Sequence, residues 1–152
     1  MANWAARLKE LEITLPGVAA PAGAYVPAVR TGNLVYTAGQ IPLVDGKVAA
    51  TGKVGAEITP EQAKDLARVC ALNALAAIDD IAGLENIVRI VKIVGFVASA
   101  EGFTGQPGVL NGASELFGEI FGDQGIHARS AVGVAELPLG VPVEVEVIAE
   151  IA

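Results

Sequence analysis

From Val143 to Ile151 the chain reads Val-Glu-Val-Glu-Val-Ile-Ala-Glu-Ile, apolar at every odd position and glutamate at three of the four even ones. Side chains alternate across a strand, so Val143, Val145, Val147, Ala149 and Ile151 must face a core. Glu144, Glu146, Ile148 and Glu150 then point the other way. The segment before it, His127-Ala128-Arg129-Ser130-Ala131-Val132-Gly133-Val134-Ala135-Glu136-Leu137-Pro138, reads as a second strand. It sets Val132 and Val134 on one face and Arg129, Ala131, Gly133 and Ala135 on the other. One guanidinium, in a chain with only 10 Lys and Arg residues, is thus expected beside a row of carboxylates. A planar, always-charged group in that setting suits two-pronged grip on a small carboxylate.

Two helices are predicted upstream. Thr59 followed by Pro60, Glu61 and Gln62 is a start signal, with proline at the first helical position. Ala63, Leu66, Ala67, Cys70, Ala74, Ala77, Ile78 and Ile81 then keep a helical rhythm until Gly83. The second helix is expected over Asn111 to Phe121, with Leu116, Phe117 and Ile120 on its apolar face. Between them, residues 86–98 are nearly all β-branched, interrupted by Arg89 and Lys92. This predicts a strand covered on both sides. Nearer the start, residues 3–12 read as a short helical lead-in capped by Asn3. Leu15-Pro16-Gly17 and Ala20-Pro21-Ala22-Gly23 break regular structure. Strands are expected at Tyr25–Val29 and Leu34–Thr37, joined at Thr31-Gly32-Asn33, and Asp45-Gly46 marks a further turn.

This order predicts a single α+β domain over residues 1–152, with residues 1–19 as an N-terminal extension and two helices on one face of a mixed sheet. A chain that is 53% hydrophobic and 18% charged is not disordered, and apolar surface in such excess suggests cover by other subunits. The small residues beside Arg129, placed opposite the helices, suit a subunit interface that encloses a cavity. One cysteine excludes an internal disulfide and fits a cytoplasmic setting. One histidine and one cysteine exclude a zinc cage of thiolates and imidazoles within one chain. No apolar run is long enough to span a bilayer, and no leader peptide is indicated. The net charge of −7 disfavours nucleic acid as a partner.

If the last two strands pair across Leu139-Gly140, Arg129 lies opposite Ala149 or Glu150, and Glu144 opposite Val134 or Ala135. The two would then stand roughly 17 Å apart at about 3.3 Å per residue. They could share a small substrate only if the arginine of one chain met the glutamate of its neighbour.

Four segments together resemble the RidA/YjgF family of enamine/imine deaminases, whose older label is endoribonuclease L-PSP. They are Ala24-Tyr25-Val26-Pro27-Ala28-Val29, Val35-Tyr36-Thr37-Ala38-Gly39-Gln40-Ile41-Pro42, Val109-Leu110-Asn111, and Ala128-Arg129-Ser130 through Leu137-Pro138 to Val143-Glu144-Val145-Glu146. The resemblance implies a chorismate-mutase-like fold, a homotrimer with active sites in the clefts between subunits, and no cofactor. It implies hydrolysis of reactive 2-imino or enamino acids to 2-keto acids and ammonia. It also implies that Arg129 binds the substrate carboxylate and that Glu144 activates the attacking water. Tyr25, the Gly39 backbone and Asn111 line the pocket in this reading. Ala38 stands where the family often has serine, Ala131 where it commonly has cysteine, and Ala24 where proline is usual.

Plainer readings exist for several of these residues. Asn111 could serve only as a helix cap, and Tyr25 could be packing. His127 could be structural, and Cys70 an inert core thiol. Two other functions use the same features. One is a non-catalytic trimer that binds or senses a small carboxylate. The other is the older ribonuclease reading, against which the acidic charge and the lack of a basic stripe with aromatic residues both argue.

Overall fold

A computed structural model describes residues 3–152. Helix α1 (Trp4–Glu10) is followed by strands β1 (Ala28–Thr31), β2 (Leu34–Thr37), β3 (Leu43–Val44) and β4 (Lys47–Val48). Helix α2 (Pro60–Ala82), strand β5 (Ile87–Ala98), helix α3 (Gln106–Phe121), and strands β6 (Ala128–Val134) and β7 (Val143–Ile151) complete the order. Five strands form one sheet in the order β1-β2-β7-β5-β6, and β3 and β4 form a separate hairpin. The β5–β6 pair is parallel, and the other pairs of the main sheet are antiparallel. The sheet is therefore mixed, with the two long helices on one face, as the element order predicted.

Local chemistry accounts for the elements. The Thr59 hydroxyl accepts from the Gln62 N–H while the Gln62 side chain accepts from the Thr59 N–H, which closes a capping box at the start of α2. Asp45 and Gly46 both adopt positive φ, 52° and 77°, and this lets two residues close the β3–β4 turn. Asn3 caps α1 by accepting from the Ala6 N–H. The Glu85 carboxylate receives the N–H groups of Trp4 and Ala5, and the Trp4 ring packs edge-on against Phe121 at 4.8 Å.

Helix α2 buries a stripe of alanines, Ala63, Ala67, Ala71, Ala74 and Ala77, which lets its backbone lie close to its neighbours. Gly112 brings α3 in equally tightly, because a Cβ there would stand 2.0 Å from the Lys64 carbonyl oxygen of α2. The core between helices and sheet holds Leu75, Ile78, Leu110, Leu116, Phe117 and the inward side chains of β5 and β7. Cys70 is fully buried there; its thiol donates to the Val143 carbonyl at 3.7 Å. Burial, reinforced by the charge of Glu144 through the sheet, pushes its pKa well up.

Four expectations need correction. The last two strands do not pair with each other: β5 lies between them, parallel to β6 and antiparallel to β7. β5 is the longest strand, and it takes an inner position of the sheet with β7 on one side and β6 on the other. The segment between β6 and β7 carries Pro138 and Pro142 and crosses over the end of β5 instead of turning back tightly. Within the chain, β5 is covered on one face only. Ile87, Ile90 and Ile93 are buried at a period of three because two irregularities in its pairing with β7 each add a residue. Arg89 and Lys92 thereby fall on the open face. The first strand starts at Ala28, since the Tyr25 hydroxyl and the Gly23 carbonyl accept bonds that fold residues 22–25 into a bend ahead of Pro27. Finally, α3 starts at Gln106, five residues before the expected Asn111. Pro107 occupies its first turn, while Gly105 and Gly108 disguise it as a loop.

Candidate functional site

The predicted site residues fall into two groups on opposite faces of the sheet. Arg129 is in register with Ile93, and Ile93 with Val147, both buried under the helices. Its side chain accordingly runs along α3 at the sheet's edge. Glu144 is in register with Phe96 and alternates with the buried Val143 and Val145, so it points from the open face. The face shared by Arg129, Ala131 and Gly133 is thus the helix side and not the open side expected for it. Ala131 packs on the core, and a Cβ at Gly133 would meet Gln106 of α3. Three positions along the ladder and two strands across separate the Arg129 and Glu144 backbones by about 14 Å.

The first group is built on β6 and α3. Arg129 Nη1 donates to Asn111 Oδ1 at 2.9 Å and to Ser114 Oγ at 3.1 Å, and Nη2 donates to the Pro107 carbonyl at 3.3 Å. These three bonds fix the plane of the guanidinium. Among the described residues no carboxylate lies within ion-pair distance of it. Its Nε–H and one Nη2–H have no acceptor there. Asn111 lies in the second turn of α3 and is not the helix cap; its role is to receive the arginine. His127 closes the group, with Nε2 at 2.9 Å from Ser114 Oγ and Nδ1 at 2.6 Å from the Gly125 carbonyl. Ser114 escaped the sequence reading. It stands three residues after Asn111 on the same helical face, a signal hidden by the misplaced start of α3.

The second group surrounds a cleft of about 530 Å³ lined by Tyr25, Pro27, Gly39, Ile41, Leu43 and Glu144, among others. The β2–β7 ladder is interrupted between the Tyr36–Ile148 and Gln40–Val145 pairs. Across the gap, Thr37 Oγ1 accepts the Val147 N–H at 3.0 Å, while on the β1 side the Ala38 N–H donates to the Pro27 carbonyl. The interruption seats Gly39 against the glutamate: a Cβ there would come within 2.9 Å of the Glu144 carboxyl. Glu144 is half-buried, and desolvation, followed by the charge of Glu146, raises its carboxyl above the ordinary value. Tyr25 is half-exposed at the cleft and turns its hydroxyl toward the Ala22 N–H at 3.2 Å. The opposite wall carries Pro138 and Leu139, and Leu139 holds a left-handed backbone at φ 58°. These wall residues were not foreseen; they come from loops with no periodic signal.

The site's chemistry is therefore a cation held for an anion on one side of the sheet, and a carboxyl group poised to take up a proton on the other. Among the described residues no helix is long and apolar enough to cross a membrane.

Comparison with known proteins agrees with the fold. The chain is 43% identical over 149 residues to Protein TCP17 of Trypanosoma cruzi, covering 97% of this chain and 93% of that protein. A match that long takes in the lead-in ahead of β1. Against the 2-iminobutanoate/2-iminopropanoate deaminase of Escherichia coli strain K12 it is 36% identical over 129 residues, with 84% and 87% coverage. The crystal structure of the E. coli YjgF gene product superposes with a TM-score of 0.62 at 30% identity, covering 88% of this chain and 93% of that one. The architecture is that of YjgF proteins, the chorismate-mutase-like fold. The family described as endoribonuclease L-PSP matches residues 17–151, and the chain belongs to this family, the RidA/YjgF family.

Proposed function

We propose that this protein hydrolyses small 2-imino and enamino acids to 2-keto acids and ammonia, without a cofactor, in clefts completed between the subunits of a homotrimer. The observation that carries the reading is the separation of Arg129 and Glu144 onto opposite faces of one sheet. A substrate of a few atoms can touch both only when the Arg129 face of one copy closes over the Glu144 cleft of another. Membership of a family that includes a named imine deaminase supports the chemistry.

In this reading the two uncommitted N–H groups of Arg129 receive the substrate carboxylate, and Asn111 keeps the guanidinium in plane. Glu144 holds a water at the imine carbon. As the water oxygen bonds to that carbon, the carboxylate takes one of its protons. The tetrahedral carbinolamine then receives that proton on nitrogen, and as the C–N bond breaks the regenerated carboxylate takes the hydroxyl proton, so that ammonia leaves and the carbonyl of the 2-keto acid forms. An enamine enters the same course once its β-carbon has been protonated. A carboxyl group whose pKa is raised by burial and by Glu146 suits this work, because it accepts a proton more readily than an ordinary carboxylate and can still return it. Gly39 leaves room for the carboxyl to swing, and Tyr25 lies at the cleft's rim.

The test generates the imine in situ from an amino acid and follows semicarbazone trapping with and without the protein. Faster loss of the trappable species with wild type, abolished in Arg129→Ala, is the expected result. No acceleration by wild type overturns the enzyme reading and leaves a carboxylate-binding trimer.

A further inference from the structure

We infer that Ser114 and His127 are positioning residues for Arg129 and set its orientation toward a bound carboxylate; this rests on the proposed carboxylate grip. The polarity of the chain follows from its first bond. His127 Nδ1 lies 2.6 Å from the Gly125 carbonyl oxygen, which can only accept, so Nδ1 carries the proton. In the neutral ring Nε2 is then an acceptor, and the Ser114 hydroxyl at 2.9 Å donates to it. With its own proton committed, Ser114 Oγ presents its lone pairs to Arg129 Nη1 at 3.1 Å. The backbone of residue 125 thus fixes the tautomer, the tautomer fixes the hydroxyl, and the hydroxyl fixes the guanidinium. Gly125 lies tight against α3: a Cβ there would come within 2.2 Å of the Phe117 carbonyl oxygen. The relay therefore begins at a backbone position packed directly against the backbone of α3. Neither Ser114 nor His127 reaches the free edge of Arg129, so both act through it.

Pyruvate binding by titration calorimetry, with steady-state kinetics on the imine generated in situ, tests the relay. Four variants are compared with wild type: Ser114→Ala, His127→Gln, His127→Asn and Arg129→Ala. A glutamine oxygen stands near the Nε2 position and can accept from Ser114, whereas asparagine reaches only the Nδ1 position. Ser114→Ala and His127→Asn are expected to weaken pyruvate binding about five- to tenfold, the worth of one neutral hydrogen bond. They raise KM by the same factor with kcat unchanged, and His127→Gln binds close to wild type. Melting curves establish that each variant is folded, and the Gln/Asn pair compares two substitutions at one position. If Ser114→Ala and His127→Asn bind as wild type while Arg129→Ala does not, the relay is overturned and the grip stands. The relay is equally overturned if His127→Gln is as weak as His127→Asn. If wild type binds no pyruvate, or Arg129→Ala binds it as well as wild type does, the grip fails and the relay with it.

Discussion

Arg129 and Glu144 emerge from opposite faces of one sheet, three ladder positions and two strands apart. With the sheet between their side chains and about 14 Å between their backbones, one molecule of a few atoms does not span the two. Subunit mixing turns this into a measurement. Arg129→Ala and Glu144→Gln proteins should each be inactive alone. Unfolded together and refolded at equal concentration, they should regain about one quarter of wild-type activity, because random assembly pairs an intact arginine with an intact glutamate at one interface in four. Recovery of nothing would place both halves of the site within a single chain.

A Cβ added at Gly39 would meet the Glu144 side chain from Cγ outward and no backbone. In Gly39→Ala the flexible carboxyl swings aside, so the fold should melt at nearly the wild-type temperature. A displacement of about 1 Å is enough to cost roughly 10²-fold in kcat. A melting curve beside an activity assay checks the pairing, and a large loss of stability would contradict it.

The Glu144 carboxyl sits above its ordinary pKa because of burial and Glu146. The folded state therefore holds this proton more tightly than the unfolded chain does. Stability from this group falls as pH rises through that window and returns as pH drops below the ordinary carboxylate range. Glu144→Gln should accordingly melt higher than wild type at pH 7–8, and the advantage should fade in acid. Thermal scans across pH decide it; a lower melting point at neutral pH would show that ionised Glu144 is stabilised in the fold.

At Gly112 the α2–α3 contact is backbone against backbone, with no side chain to give way. Gly112→Ala should therefore destabilise the protein by about 1–3 kcal/mol. Any gain in helix propensity is smaller, at roughly 1 kcal/mol. Denaturant unfolding measures it.

Much of this was legible in the residues because local chemistry decided it. Thr59 and Gln62 cap each other, Asp45-Gly46 closes a two-residue turn, and the alternation from Val143 to Ile151 states which side of β7 is buried. What failed depended on partners far away in sequence. Nothing local says that β5 outcompetes β7 as the neighbour of β6, so the site was split for the wrong reason: distance along a hairpin that does not form. The actual reason is the parity of Arg129 against Ile93 and of Glu144 against Phe96. The β5 irregularities hid in a run with β-branched residues on both faces, and the burial of Ile87, Ile90 and Ile93 exposes them afterwards. Ser114 went unseen because Gly105-Gln106-Pro107-Gly108 reads as loop until α3 is seen to begin there.

Cys70 gives the molecule a built-in clock. Its sulfur is sealed between α2 and β7, donating to the Val143 carbonyl, and its raised pKa leaves almost no thiolate. A thiol reagent can reach it only when helix and sheet part. The rate at which the protein is alkylated therefore counts openings of its core, with no label added and no surface cysteine to confuse the reading.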